Sequence, residues 1–352
     1  MPVAGVPASD LGPAFWRDTL AGYAEPRPLR SVFDVLTSVI PYLALSVLAY
    51  TAIAISPVLT LVLALPTAGF LLRTYIVFHD CTHGSFWRSR RANAWLGTFC
   101  GLLVLSPFVR WRHDHAVHHA CSGDLDRRGV GDLPTLTVAE YEARSRRDRL
   151  AYRMIRAPLV MFGIGPVIAM MVGPRFTTRN AKPRMRRSVI GTDIALVAII
   201  GPLCWLIGWD NFLLAWAPAA VLAGAAGIWL FYVQHQFEDA YWQQGEGWSY
   251  ADSALLGSSY LKLPPLLQFF TGNIGLHHVH HMSARIPNYN LQRAHDENPV
   301  FHRVPTLSLW DGLRTARLKL WDEDSGRLVT FAQARARQAR PSVSGAAPGA
   351  AA

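Results

Sequence analysis

Apolar and polar positions fall in long blocks along this chain, not at the short periods of a water-soluble fold. Residues 35–55 and 58–78 are apolar and are separated only by Ser56-Pro57. Each block supplies about 21 residues, roughly 30 Å of helix, which is enough to cross the hydrocarbon core of a bilayer. Pro57 is preset for the first turn of a helix and cannot sit inside the one before it, so the pattern predicts a hairpin with both ends on one side. Residues 188–208 and 212–233 repeat the arrangement, with Trp209, Asp210 and Asn211 as the expected connection on the far side. Two shorter runs, 94–109 and 157–173, carry Ser-Pro or Gly-Pro breaks and are expected to lie re-entrant or in the membrane plane without spanning it.

This pattern divides the chain into a leader at 1–34, a membrane domain at 35–330 and a tail at 331–352. The tail is rich in Ala, Arg, Gln, Pro and Ser and is expected to be disordered. The predicted class is all-α: an integral membrane protein with four transmembrane helices in two hairpins, joined to a cytosolic helical cap. Composition agrees, since 51% of residues are hydrophobic and only 16% are charged. The net charge of +10 sits in clusters at 88–91, 127–128, 144–149 and 184–187. These clusters abut apolar blocks, as the positive-inside rule describes for cytoplasmic loops, so a nucleic-acid partner is set aside. The first 30 residues have no basic-then-apolar cleavable signal. The four cysteines lack CxxC spacing, which fits a reducing compartment, and Cys81 and Cys121 read as small packing residues.

Ten of the thirteen histidines lie in three short segments: His79 to His83, His113 to His119 and His277 to His281. Residues three or four apart share one face of a helix, so His79 pairs with His83, His115 with His118 and His119, and His277 with His280 and His281. Neutral imidazole binds iron, zinc, copper and nickel alike. Eight converging imidazoles exceed what one tetrahedral zinc takes, so a dinuclear centre in the cap is the economical reading. The three segments can share metals only from one side of the membrane, which is the parity argument for leaving 94–109 and 157–173 non-spanning.

In that order the segments resemble the three histidine boxes of the membrane fatty acid desaturases. The likeness extends through 111–119, 234–242, 257–264 and 271–281, over roughly residues 35–310, where the segments resemble bacterial acyl-lipid desaturases of the omega-6 (delta-12) and delta-5 types. The resemblance implies two iron ions held by about nine histidines, the ninth at the end of the last span, where His235 stands. His113, His278, His295 and His302 stay outside this ligand set, the last two as surface or substrate-covering residues. The resemblance also implies O2 as co-substrate, a fatty acyl lipid as substrate, and an external electron donor, ferredoxin by family habit. The implied location is a bacterial inner membrane with the active site cytosolic. Carboxylates expected to orient the imidazoles are Asp80, Asp114, Asp124, Asp126, Glu238 and Asp239, while Asp193 is expected to reach Arg187 at the interface. Two other readings compete: a different oxidation on the same scaffold, such as hydroxylation, acetylenation or carotenoid oxidation, and a non-redox histidine-rich membrane metal protein. The last would place its histidines along a pathway inside the spans.

Overall fold

A computed structural model describes residues 18–338. Residues 1–17 of the expected leader and 339–352 of the expected tail lie outside the described residues. The rest of the leader is packed: Leu20 is buried in the main core, and the Tyr23 hydroxyl donates to Glu297 at 2.6 Å. The first span starts within it, because α1 runs from Pro28 to Ala52 and α2 from Pro57 to His83. Both helices continue past their apolar blocks at the same end. Helical hydrogen bonds need no apolar side chains, so the blocks mark the membrane-immersed part of each helix and not its length.

Next come α3 (Arg90–Leu103) and α4 (Phe108–Cys121), which meet at an angle of 99°. The break has a local cause. Leu105 takes the left-handed conformation at φ 55°, Ser106 N donates back to Gly101 O at 2.7 Å, and Pro107 cannot extend the helix. Both ends of the bent pair lie beside the C-terminal end of α2: only six residues separate α3 from it, and His119 of α4 lies 4.9 Å from His83, ring to ring. The pair therefore dips and returns.

Beyond a loop come β1 (Leu136–Thr137), α5 (Val138–Ala143) and α6 (Arg146–Ile155). A segment of π-helical turns at Val160–Ile164 and Val167–Val172 follows, bent 58° from α6. Then α7 (Pro183–Ile207) and α8 (Trp209–His235) form the second hairpin. Its connection is shorter than expected: Gly208 alone joins the helices, and Trp209, Asp210 and Asn211 form the first turn of α8. Asp210 suits that position by facing the positive end of the helix dipole, and the Asn211 amide donates to Ile207 O at 2.8 Å. The helices α1, α2, α7 and α8 are long and apolar enough to cross a membrane.

The remaining elements build a cap over the shared end: α9 (Tyr250–Leu256), β2 (Tyr260–Leu261), α10 (Pro265–Phe270), α11 (His277–Met282), α12 (Asn288–Glu297), β3 (Thr306–Leu307), α13 (Leu309–Thr315), β4 (Leu320–Asp322), β5 (Arg327–Val329) and α14 (Phe331–Gln338). The fold is mainly helical, as predicted, and the short strands are an addition. β1 pairs in parallel with β4, β4 pairs antiparallel with β5, and β2 pairs in parallel with β3. The start of the expected disordered tail is ordered. Residues 331–338 form α14, where Ala334 is buried and Phe331 packs with Tyr141 and Tyr152. These two apolar contacts override a composition that reads as polar overall.

Candidate metal centre

Four helix ends supply the histidines. His79 and His83 occupy the last turns of α2, His115, His118 and His119 the last turns of α4, and His235 the last residue of α8, while α11 is almost entirely the third segment. They converge in two groups, His79/His83/His115/His280 and His118/His235/His277/His281, each with ligand atoms lying within 4.8 Å of one another. His119 lies beside both: its Nε2 is 3.2 Å from that of His115 and 3.0 Å from that of His280, and its ring stacks on His281.

Inside the cluster Nε2 faces Nε2: His79 to His115 at 3.1 Å, His118 to His281 at 3.2 Å and His235 to His277 at 3.0 Å. Protons are held on the opposite nitrogens in three cases. His79 Nδ1 donates to Asp80 at 3.1 Å, His118 Nδ1 to Asp132, and His235 Nδ1 to Gly257 O at 3.1 Å. The lone pairs of these rings are therefore aimed inward. Burial, reinforced by neighbouring imidazoles, holds His115, His119, His277, His280 and His281 well below the ordinary histidine pKa, so they are neutral at physiological pH. His83 Nε2, His119 Nδ1 and His277 Nδ1 are buried without a partner. Neutral nitrogens with lone pairs crowded together, and buried donors or acceptors left over, are unfavourable alone and fit a cation between them. Each group of four could hold a metal ion.

A family model described as fatty acid desaturase matches residues 54–308. A fatty acid desaturase of Bacillus subtilis is 45% identical over 312 residues, covering 89% of each chain. An sn-1 acyl-lipid omega-3 desaturase (ferredoxin) of Synechocystis is 30% identical over 252 residues, 67% of each chain, and an sn-1 oleoyl-lipid 12-desaturase of the same organism is 28% identical over 65% of each. The chain belongs to the fatty acid desaturase family. In this desaturase-family protein the nine histidines singled out by sequence lie in one cluster, and the four left out do not. His113 is exposed. His278, His295 and His302 form a separate set, with His278 Nε2 3.0 Å from His295 Nδ1 and His302 Nε2 3.0 Å from His295 O. His295 is thus buried and not on the surface, because the helix α12 carries it under the cap.

The expected carboxylates divide sharply. Asp80 is buried beside His79 and is fixed from the other side by the backbone N–H of Asn288 at 2.7 Å. Asp114 instead pairs with Arg110 at 3.5 Å, Asp124 with Arg127, and Asp126 accepts from Gly245 N at 2.8 Å. Glu238 and Asp239 are exposed and pair with Arg327 at 3.5 and 2.9 Å. They follow α8 directly, but the chain turns outward there. Asp193 pairs with Arg175, not Arg187, since the turn that follows the π-helical segment brings Arg175 to it. Sequence reading missed Asp132, whose carboxylate meets His118. Gly131 makes that approach possible: it adopts φ +72°, and a Cβ there would lie 2.9 Å from Asp114 O. The only signal in the sequence is the Gly-Val-Gly-Asp run at 129–132.

An apolar cavity of about 740 Å3 starts at Trp111 and His115 and runs between α2, α8 and the 160–174 segment. Trp111 packs against His115 with ring centroids 4.3 Å apart. The cavity thus joins the histidine cluster to the interior of the membrane-crossing part.

Proposed function

We propose that the chain is an acyl-lipid desaturase, with residues 35–330 as its membrane domain in an inner membrane and its metal centre facing the cytosol. In this reading two irons are held by His79, His83, His115, His118, His119, His235, His277, His280 and His281. The single observation that carries it is the pairing of two four-histidine groups with one long apolar cavity that reaches His115.

The chemistry needs an oxidant stronger than any side chain, and bound iron would supply it by activating O2. In the balanced reaction two hydrogens leave adjacent methylenes, two electrons and two protons arrive, and O2 leaves as two waters. The protein's part is position. Apolar walls exclude water and hold one methylene against the His115 end of the cavity, where misplacement of about an ångström changes the outcome. Asp80, Asp132 and Gly257 O keep three imidazoles in one tautomer and orientation. The electrons come from an external carrier. Ferredoxin fits, because a related protein bears it in its name and the net charge of +10 suits an acidic partner. Histidines at helix ends, not strung through the spans, weigh against a metal transporter.

The test is expression in a heterologous bacterium with a compatible donor, followed by gas chromatography and mass spectrometry of total fatty acids. A new unsaturated acid is expected. His118→Ala and His280→Ala should each abolish it while the protein stays in the membrane, and retained product in both would sink the ligand assignment. Hydroxylated acids would move the reading to a related oxidation, and purified protein without iron would overturn the mechanism.

A further inference from the structure

The α8 wall of the cavity reaches a braced aromatic ring. On α8 its lining runs from Phe231 to Trp216 and includes Ala220, Gly224 and Gly227 between them. Fifteen residues of helix extend about 22 Å, longer than the ~15 Å depth of one leaflet's hydrocarbon, so a whole membrane acyl chain fits lengthwise. Small residues keep the middle of that wall open, and Trp216 is the lining residue of α8 farthest from His235. Trp216 is also held in place: it stacks on Phe212 with centroids 5.6 Å apart and an interplanar angle of 13°, and it packs on the cluster that contains Tyr42 and Ala64. A braced aromatic ring at that position yields less than an aliphatic side chain would.

We propose that Trp216 is the floor on which the methyl end of the acyl chain rests, and that it sets the longest chain the protein accepts. The inference rests on the desaturase reading for its substrate class. Nothing polar is needed at the floor, because a methyl group offers only contact. Each methylene beyond the floor has to stay outside the cavity, and each one admitted by lowering the floor should change the relative use of that chain about fourfold, the factor that goes with burying one CH2.

The experiment compares wild type, Trp216→Ala and Ala220→Leu in cells fed saturated acids of graded length, reading the chain-length profile of the unsaturated products. A second reading, by mass spectrometry of lipids retained by the purified proteins, does not depend on turnover. Trp216→Ala should extend both profiles to longer chains, and Ala220→Leu, which raises the floor by one helical turn, should remove the longest. A merely structural role for Trp216 would lower the yield evenly across lengths. Unchanged profiles in both variants overturn the proposal; if Trp216→Ala does not accumulate, Ala220→Leu decides alone. Wild type without product but with a retained-lipid profile that shifts in the variants would sink the desaturase reading and leave the floor standing.

Discussion

At His118 the ring is gripped from both sides: Nδ1 faces the carboxylate of Asp132, and Nε2 points at His281 across 3.2 Å. The carboxylate holds the proton on Nδ1 and leaves the Nε2 lone pair facing the interior. Carboxylates in this position are worth ~10 to 100-fold in metal affinity or activity, so Asp132→Ala should lower iron retention or product by that factor with the protein still folded. Asp239→Ala, at an exposed ion pair, should leave both unchanged. Iron per protein across graded metal concentrations reads this directly, and equal retention in the two variants would remove Asp132 from the centre. The histidines were legible because helical periodicity is written in the sequence, and Asp80 because it adjoins one of them. Asp132 was not, since it lies 14 residues beyond His118 in a loop that obeys no period.

The 99° break between α3 and α4 is what turns an apolar stretch too short to cross into a scaffold for three histidines. It depends on contact between backbones: a Cβ added at Gly101 would lie 2.6 Å from Ser106 O, and a main-chain oxygen in a closed turn has little room to give. Gly101→Ala should therefore cost about 1–3 kcal/mol, as overpacking does, and shift α4 relative to α2. The expected readout is a lower thermal midpoint in detergent together with weakened iron binding; a variant that loses neither would show that the turn yields freely. At this scale the sequence announced the break through Ser106-Pro107 and the apolar blocks through their length. It could not announce the ends of helices. α2 and α8 run on through polar residues to His83 and His235, and α8 begins at Trp209 inside what reads as a loop, because capping and tertiary contact set those limits instead of hydropathy.

For the whole molecule the arrangement is governed by parity. His83 ends α2, His235 ends α8 and both reach the same cluster, so the turns before those helices, at 53–56 and at Gly208, lie together on the opposite face. The α3–α4 pair returns to the cluster side, where the basic run at 88–91 lies and where α7 starts with the run at 184–187. A span count of six would require a bent pair to straighten and carry its far end across, separating His119 from His83. Thiol labelling separates these cases, since all four native cysteines are buried and give little background. Single cysteines replacing Ala54 and Asp210, both exposed at hairpin turns, should react with a membrane-impermeant maleimide added to cells with a permeabilised outer envelope. Glu246→Cys, exposed on the cap, should react only in inverted vesicles, which would set the histidine cluster on the cytosolic side as the positive-inside rule requires. Labelling of Ala54→Cys and Asp210→Cys from opposite faces would break the two-hairpin architecture. Labelling of all three from outside would break the shared-side argument on which the dinuclear reading depends.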